Sequence, residues 1–169
     1  MRLPPPILLV FALSVSGCVR PAVAPPPPPV TAPVAPAPLP TSPVDWRDAP
    51  ETPGGWSYVQ DNAGSTARFG RANGEPDFTM RCDRASRTVI LSVLGAGGGA
   101  MTVKTSYAER VWPAQIAAGR TETRITPSDP ALDQIAFSRG RFSVTAAGLP
   151  TVTMPAWAEP SRVIEDCRS

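Results

Sequence analysis

Arg87-Thr88-Val89-Ile90-Leu91-Ser92-Val93-Leu94 is the stretch that sets the fold. Val89, Leu91 and Val93 fall on one side of an extended chain, with Ile90 and Leu94 on the other. Such a run suits a central strand covered on both faces. Just upstream, Phe78, Met80 and Cys82 alternate with Thr79 and Arg81, the period-two pattern of a half-buried strand. Asp83-Arg84-Ala85-Ser86 supplies the turn between the two.

Upstream of this pair, Trp56-Ser57-Tyr58-Val59-Gln60 reads as a strand ended by the turn former Asp61-Asn62-Ala63-Gly64. Residues 65–70 return as its hairpin partner, and residues 71–76, with Asn73-Gly74, make another turn. Residues 44–55 are a lead-in loop whose Trp46 is expected to pack on the domain edge. Downstream, Gly95-Ala96-Gly97-Gly98-Gly99 reads as a hairpin loop, after which Met101, Val103 and Thr105 alternate with Thr102, Lys104 and Ser106 as a strand. Val111-Trp112, before Pro113, and Thr123-Arg124-Ile125-Thr126 have the look of edge strands.

At Pro127 the pattern changes from strand to helix. Asp129 is a natural N-cap, Pro130 suits the first helical position and Asp133 lies in the first turn. Leu132, Ile135 and Ala136 form one face and Gly140 can end the helix, so the spacing predicts a helix over residues 130–138. Phe142, Val144 and Ala146 alternate as a strand, Ala147-Gly148 turns, and Thr151-Val152-Thr153-Met154 pairs back. Trp157, Pro160, Ile164 and Cys167 then recur as one stripe of an amphipathic terminal helix. The expected fold is α+β and mainly β: an antiparallel sheet curled into a sandwich or partial barrel, with two short helices, the C-terminal one closing it.

Composition narrows the chemistry. The chain has 169 residues, a formal charge of +2, three cysteines and no histidine. The lack of histidine removes the commonest general base, the commonest metal ligand and the ordinary Ser-His triad. No basic cluster with interleaved aromatics appears, so nucleic acid is not an expected partner, and no cofactor is expected.

The N-terminal 43 residues are of a different kind. Arg2 precedes the apolar run Ile7-Leu8-Leu9-Val10-Phe11-Ala12-Leu13, and small residues follow at Ser14, Ser16 and Gly17. This is the layout of a secretory signal, too short to span a bilayer. Val15-Ser16-Gly17-Cys18 resembles the lipobox of bacterial lipoproteins; the alternative is an ordinary signal with an incidental cysteine. The resemblance implies cleavage before Cys18, lipid on its thiol and acylation of its new amine. Each buried CH₂ of an acyl chain adds ~0.8 kcal/mol, so several chains on one residue hold firmly to a membrane. Val19 stands where the family's inner-membrane retention signal usually has Asp, which implies the outer membrane, facing the periplasm. From 21 to 43 nearly half the residues are proline. With φ fixed and no N–H to donate, such a segment favours polyproline II at ~3.1 Å per residue. It is expected to act as a stalk, a PxxP ligand being the other use. The organisation expected is a signal over 1–17, lipidated Cys18 and stalk over 18–43, and a β-rich periplasmic domain over 44–169.

With Cys18 lipidated, Cys82 and Cys167 remain, and export places them in an oxidising compartment where a disulfide is the default. Neither belongs to a CxxC pair or has a histidine to activate it, which argues against a reactive thiol. Phe-x-Met-Arg-Cys at Phe78 to Cys82, the β-rich middle and the terminal helix ending in Cys167 are similar to small uncharacterised bacterial envelope proteins. They also distantly resemble accessory proteins associated with type VI secretion. The likeness carries no catalytic residue over.

Other candidates each have a plainer explanation. Arg139 and Arg141, joined by Arg84 and Arg87, would suit a carboxylate or phosphate, or a partner; facing water at a helix end is the simpler role. Asp129 with Asp133, or Glu159, Glu165 and Asp166, would suit a glycosidase-like acid/base pair, whereas capping and solvated helix faces account for them. Ser138 and Ser161 have no base by motif. The glycine run lacks the Lys-Ser/Thr and the following helix of a phosphate loop. Four tryptophans with Tyr58 and Tyr107 would suit a sugar-binding face, though core packing better fits Trp56 and Trp157. The function expected is a non-catalytic binding or structural domain with an envelope protein or peptidoglycan as partner. The alternative is a histidine-free hydrolase or transferase acting on envelope glycans through carboxylates.

Overall fold

The structure, a computed structural model, describes residues 45–169. The signal, Cys18 and the proline-rich stretch lie outside the described residues. Strands β1 (Gly55–Asp61) and β2 (Gly64–Gly70) form a hairpin across Asn62-Ala63. Asp61 Oδ1 accepts from the N–H groups of Ala63 at 2.8 Å and Gly64 at 3.0 Å, the local bonding that makes Asp a turn former. β3 (Phe78–Asp83) and β4 (Thr88–Leu94) follow in register, Met80 opposite Leu91 and Cys82 opposite Val89. The chain then leaves this sheet for β5 (Gly98–Lys104) and β6 (Glu109–Pro113). It comes back as β7 (Gln115–Ala117) and β8 (Arg120–Ile125), forms α1 (Pro130–Ala136), enters the second sheet as β9 (Arg141–Ala147) and β10 (Val152–Pro155), and ends in α2 (Ala158–Arg168).

Two antiparallel sheets result, ordered β1-β2-β3-β4-β8-β7 and β10-β9-β5-β6. They are sandwich-like and do not close into a barrel, the α+β, mainly β class expected. Register sets the inner face of the larger sheet in three transverse rows: Trp56-Phe69-Phe78-Val93-Thr121, Tyr58-Ala67-Met80-Leu91-Thr123 and Gln60-Ser65-Cys82-Val89-Ile125. The smaller sheet turns Met101, Val103, Phe142, Val144, Ala146, Val152 and Met154 inward. At one end an aromatic cluster joins the sheets, Phe142 lying 6.2 Å from both Trp56 and Phe78 between ring centroids. Toward the third row, Pro160, Val163, Ile164 and Cys167 of α2 are buried and bring Cys167 to disulfide distance of Cys82, with Cα atoms 5.3 Å apart. Fully burying side chains such as Val89 and Leu91 is worth about 1.5–3 kcal/mol each, which is why this strand organises the core. α1 is capped as expected, Asp129 Oδ1 accepting from Ala131 N at 2.8 Å.

Some expectations are overturned. β4 is covered on one face only: Ile90 sits half-buried on the open side, between Arg81 and Arg124. The glycine run is no hairpin, because β4 and β5 belong to different sheets; it carries the chain from one sheet to the other. Thr121 pins that crossover, its Oγ1 accepting from Gly97 N at 2.7 Å and lying 2.9 Å from the Gly95 carbonyl to which it donates. β8 is internal, since the short β7 covers part of its outer edge. α1 stops at Ala136 with Phe137 as its C-cap, short of Gly140. Trp157 is not in the core. It is the extended N-cap of α2 (φ −98°, ψ −174°), so its side chain leaves the helical stripe and stands 55% exposed.

Candidate binding surface

The sequence-derived candidates do not converge. Arg141, expected as an anion or partner contact, is held by its own chain. Its Nη1 donates to the Ala49 carbonyl at 2.8 Å and its Nη2 lies 3.5 Å from Glu51, because the lead-in segment crosses the start of β9. Arg139 is exposed and its backbone N–H is held by Ser106 Oγ at 2.8 Å. Arg84 and Arg87 instead line a cleft of about 170 Å³ beside the cysteine pair, with Asp166 and Ser169. The four arginines form no common clamp.

The carboxylates are similarly dispersed. Asp129 caps α1, Asp133 pairs with Arg168 at 2.7 Å and Asp166 accepts the Tyr58 hydroxyl at 2.5 Å. The carboxylate held by Arg168 is thus tied to a cation and the one facing Tyr58 to a phenol, with no reacting cleft between them. Glu75 and Asp77 line one cleft of about 290 Å³, but Glu75 is taken by Arg120 at 3.2 Å. Ser138 Oγ donates to the Arg141 carbonyl at 2.6 Å and accepts from Ser106 N at 2.9 Å, a loop-fastening role rather than a nucleophile's. Among the described residues no three His, Cys, Asp or Glu side chains group to hold a metal ion. No described helix is long and apolar enough to cross a membrane.

The aromatics also fail to make one face. Trp56 and Tyr58 belong to the inner rows, and Trp157 stands alone. Trp46 shares a cleft of about 250 Å³ with Tyr107 and Lys104, and Arg47 lies over the Trp46 ring at 5.1 Å. What does form a continuous surface is the outer face of the six-stranded sheet. Its rows are Ser57-Arg68-Thr79-Ser92-Glu122 and Val59-Thr66-Arg81-Ile90-Arg124. Sequence reasoning passed over these arginines, although each alternates with buried neighbours, Arg68 with Ala67 and Phe69, Arg124 with Thr123 and Ile125. That alternation was the available signal.

No family model matches the chain, and no curated protein or solved structure matches it. The site must be read on its own geometry.

Proposed function

We propose that this chain is a lipid-anchored cell-envelope protein whose folded domain binds rather than catalyses, held off the outer membrane by its proline-rich stalk and facing the periplasm. Val15-Ser16-Gly17-Cys18 and the prolines after it support the anchor and the stalk. The observation that carries the binding role is the open outer sheet face, where arginines with no internal partner stand on a rigid support. Asp129, Asp133 and Asp166 are occupied in capping, pairing and hydrogen bonding, which leaves the hydrolase alternative Glu159 and Glu165 alone among its candidates.

The anchor rests on one sulfur. In cells fed an alkyne fatty acid, the wild-type protein should carry the label and fractionate with the outer membrane. Cys18→Ser should be unlabelled, uncut at the lipoprotein site and released from membranes. Quantitative membrane association of Cys18→Ser would sink the reading. Deleting residues 25–40 should leave the melting temperature of the domain unchanged; a large fall would mean that the segment packs on the fold.

A further inference from the structure

We infer that the outer face of the six-stranded sheet binds an anionic cell-wall glycan, peptidoglycan with its carboxylates, and that Arg68, Arg81 and Arg124 are its contacts. This rests on the envelope reading above and names the ligand of the binding surface.

All three arginines are exposed, and none makes a side-chain hydrogen bond or ion pair among the described residues. Arg120, on the same face, shows what an arginine with a structural role does here. Its Nε donates to Ser92 Oγ at 2.7 Å, its Nη2 to the Pro76 carbonyl at 2.9 Å, and Glu75 lies 3.2 Å from Nη1. Arg81 and Arg124 flank Ile90 across two strand spacings, about 9–10 Å, and Arg68 is the diagonal neighbour of Arg81, about 7–8 Å away. Three planar forks thus stand on one face of a rigid sheet, two in one row and the third diagonal to it, suited to neighbouring carboxylates that each accept two parallel hydrogen bonds.

Three acids, Asp61, Asp83 and Glu122, share this face and offset part of that charge without pairing with Arg68, Arg81 or Arg124. Glu122 lies beside Arg124 in β8, and Asp83 follows Arg81 in β3. Asp83 is occupied by Ser86, whose hydrogen bond is the main reason its carboxyl sits below the usual range; the fields of Arg81 and Arg124 push the same way.

The surroundings select the occupant. Ser57, Thr66 and Thr79 offer hydroxyls between the guanidiniums, while Ile90 and Val59 are the apolar side chains of the two rows. A protein partner needs an apolar or aromatic centre to its interface. A membrane surface needs side chains that insert, and single-stranded nucleic acid needs rings to stack on. The two rows carry no ring. A hydrated polymer bearing carboxylates matches what is there, and extended oligosaccharides lie across open β-faces in other folds. The face also ends in clefts: Arg68 and Ser57 line one of about 410 Å³, and Arg124 and Glu122 one of about 430 Å³ whose wall includes Trp112.

The test is co-sedimentation of the full-length protein, purified in detergent, with purified peptidoglycan sacculi. Binding should weaken as salt rises, as for any exposed charge contact, and should be lost on sacculi whose carboxylates have been amidated. Replacing the three by serine (Arg68→Ser, Arg81→Ser, Arg124→Ser together) should lower affinity at least about tenfold, since hydrogen bonds to charged groups are lost at each position. The side chains are exposed, so this variant should melt as the wild type does. Arg110→Ser with Arg139→Ser, off this face, should bind normally. Unchanged binding by the triple variant, indifference to amidation, or a preference for phosphatidylglycerol vesicles over sacculi would each overturn the assignment. The anchor is judged separately: an unlipidated protein that still needs the three arginines for sacculi removes the anchor and leaves this surface, and a lipidated one that does not need them does the reverse.

Discussion

The indole Nε1 of Trp56 donates a 2.8 Å hydrogen bond to the carbonyl oxygen of Pro155, 99 residues away. The first strand of one sheet is thereby fixed to the last strand of the other, while the same ring packs on Phe69, Phe78 and Phe142. Trp56→Phe keeps an aromatic ring and removes the donor. The expected loss is about 1–2 kcal/mol, mostly from stranding a partly buried carbonyl. Urea unfolding should show a lower midpoint at unchanged slope. An unchanged midpoint would mean that the bond adds nothing to the ring's packing.

The cysteine pair closes a loop of sequence separation 85. Chain entropy assigns about 4–5 kcal/mol to a closure of that size, a large part of a domain's typical total of about 5–15 kcal/mol. Reduction of the wild type, or Cys82→Ser with Cys167→Ser, should therefore lower the melting temperature sharply. Mass spectrometry of the non-reduced protein should find neither cysteine alkylatable. Two free thiols would remove the bridge.

Tyr58 should make stability fall at alkaline pH. Its hydroxyl donates to Asp166, and that bond is the main reason its pKa lies above the ordinary value; burial adds to it, while Ser65 and Arg162 oppose. A pKa raised in the folded state means that the contribution is complete below the unfolded value, about 10. It is lost as pH rises through the folded value. Unfolding free energies measured upward from about pH 9 should fall more steeply for the wild type than for Tyr58→Phe. Parallel curves would show that the bond is not linked to folding.

Gly64 has φ +146°, and a Cβ there would run into the Cys82 carbonyl on the neighbouring strand. Gly64→Ala must therefore break the β2–β3 ladder or the turn before it, and should cost more than about 1 kcal/mol, whereas a glycine-to-alanine change at a position that accepts it gains about 0.4–1 kcal/mol. Gly98 has open space around its Cβ position, and Gly98→Ala should be close to neutral. Equal melting temperatures for the two variants would contradict the register drawn here.

Local chemistry made much of this fold legible before any coordinates. The Asp61 turn, the Asp129 cap, the alternation of Phe78, Met80 and Cys82 and the spacing of Pro160, Ile164 and Cys167 each report a short-range rule that the tertiary structure obeys. What escaped depends on distant chain. β7 is three residues long and exists because Ala118, at φ +48°, and Gly119 turn it onto β8. Ile90 looked buried because its own strand is apolar, yet nothing in that strand says whether a second layer lies above it. The surface arginines lay in three separate strands, and only the register of β2, β3, β4 and β8 shows that they share a face. Of the earlier candidates, Arg141 was claimed by Ala49, a residue 92 positions away that no local pattern connects to it.

The lead-in segment has a mechanical consequence. Thr52 borders the edge of β10, its N–H donating to the Thr153 carbonyl at 2.8 Å and its Oγ1 accepting from Thr153 N at 3.0 Å, while Arg141 grips the Ala49 carbonyl further out. Tension entering from the N-terminal side meets these fastenings first, then the β1–β2 hairpin. Everything between Cys82 and Cys167 is bypassed, because the covalent bridge transmits the pull across 85 residues without letting them extend. Under load the domain would lengthen by paying out its first strands and stop there, so the same bond that raises stability in solution also sets how far the chain can stretch.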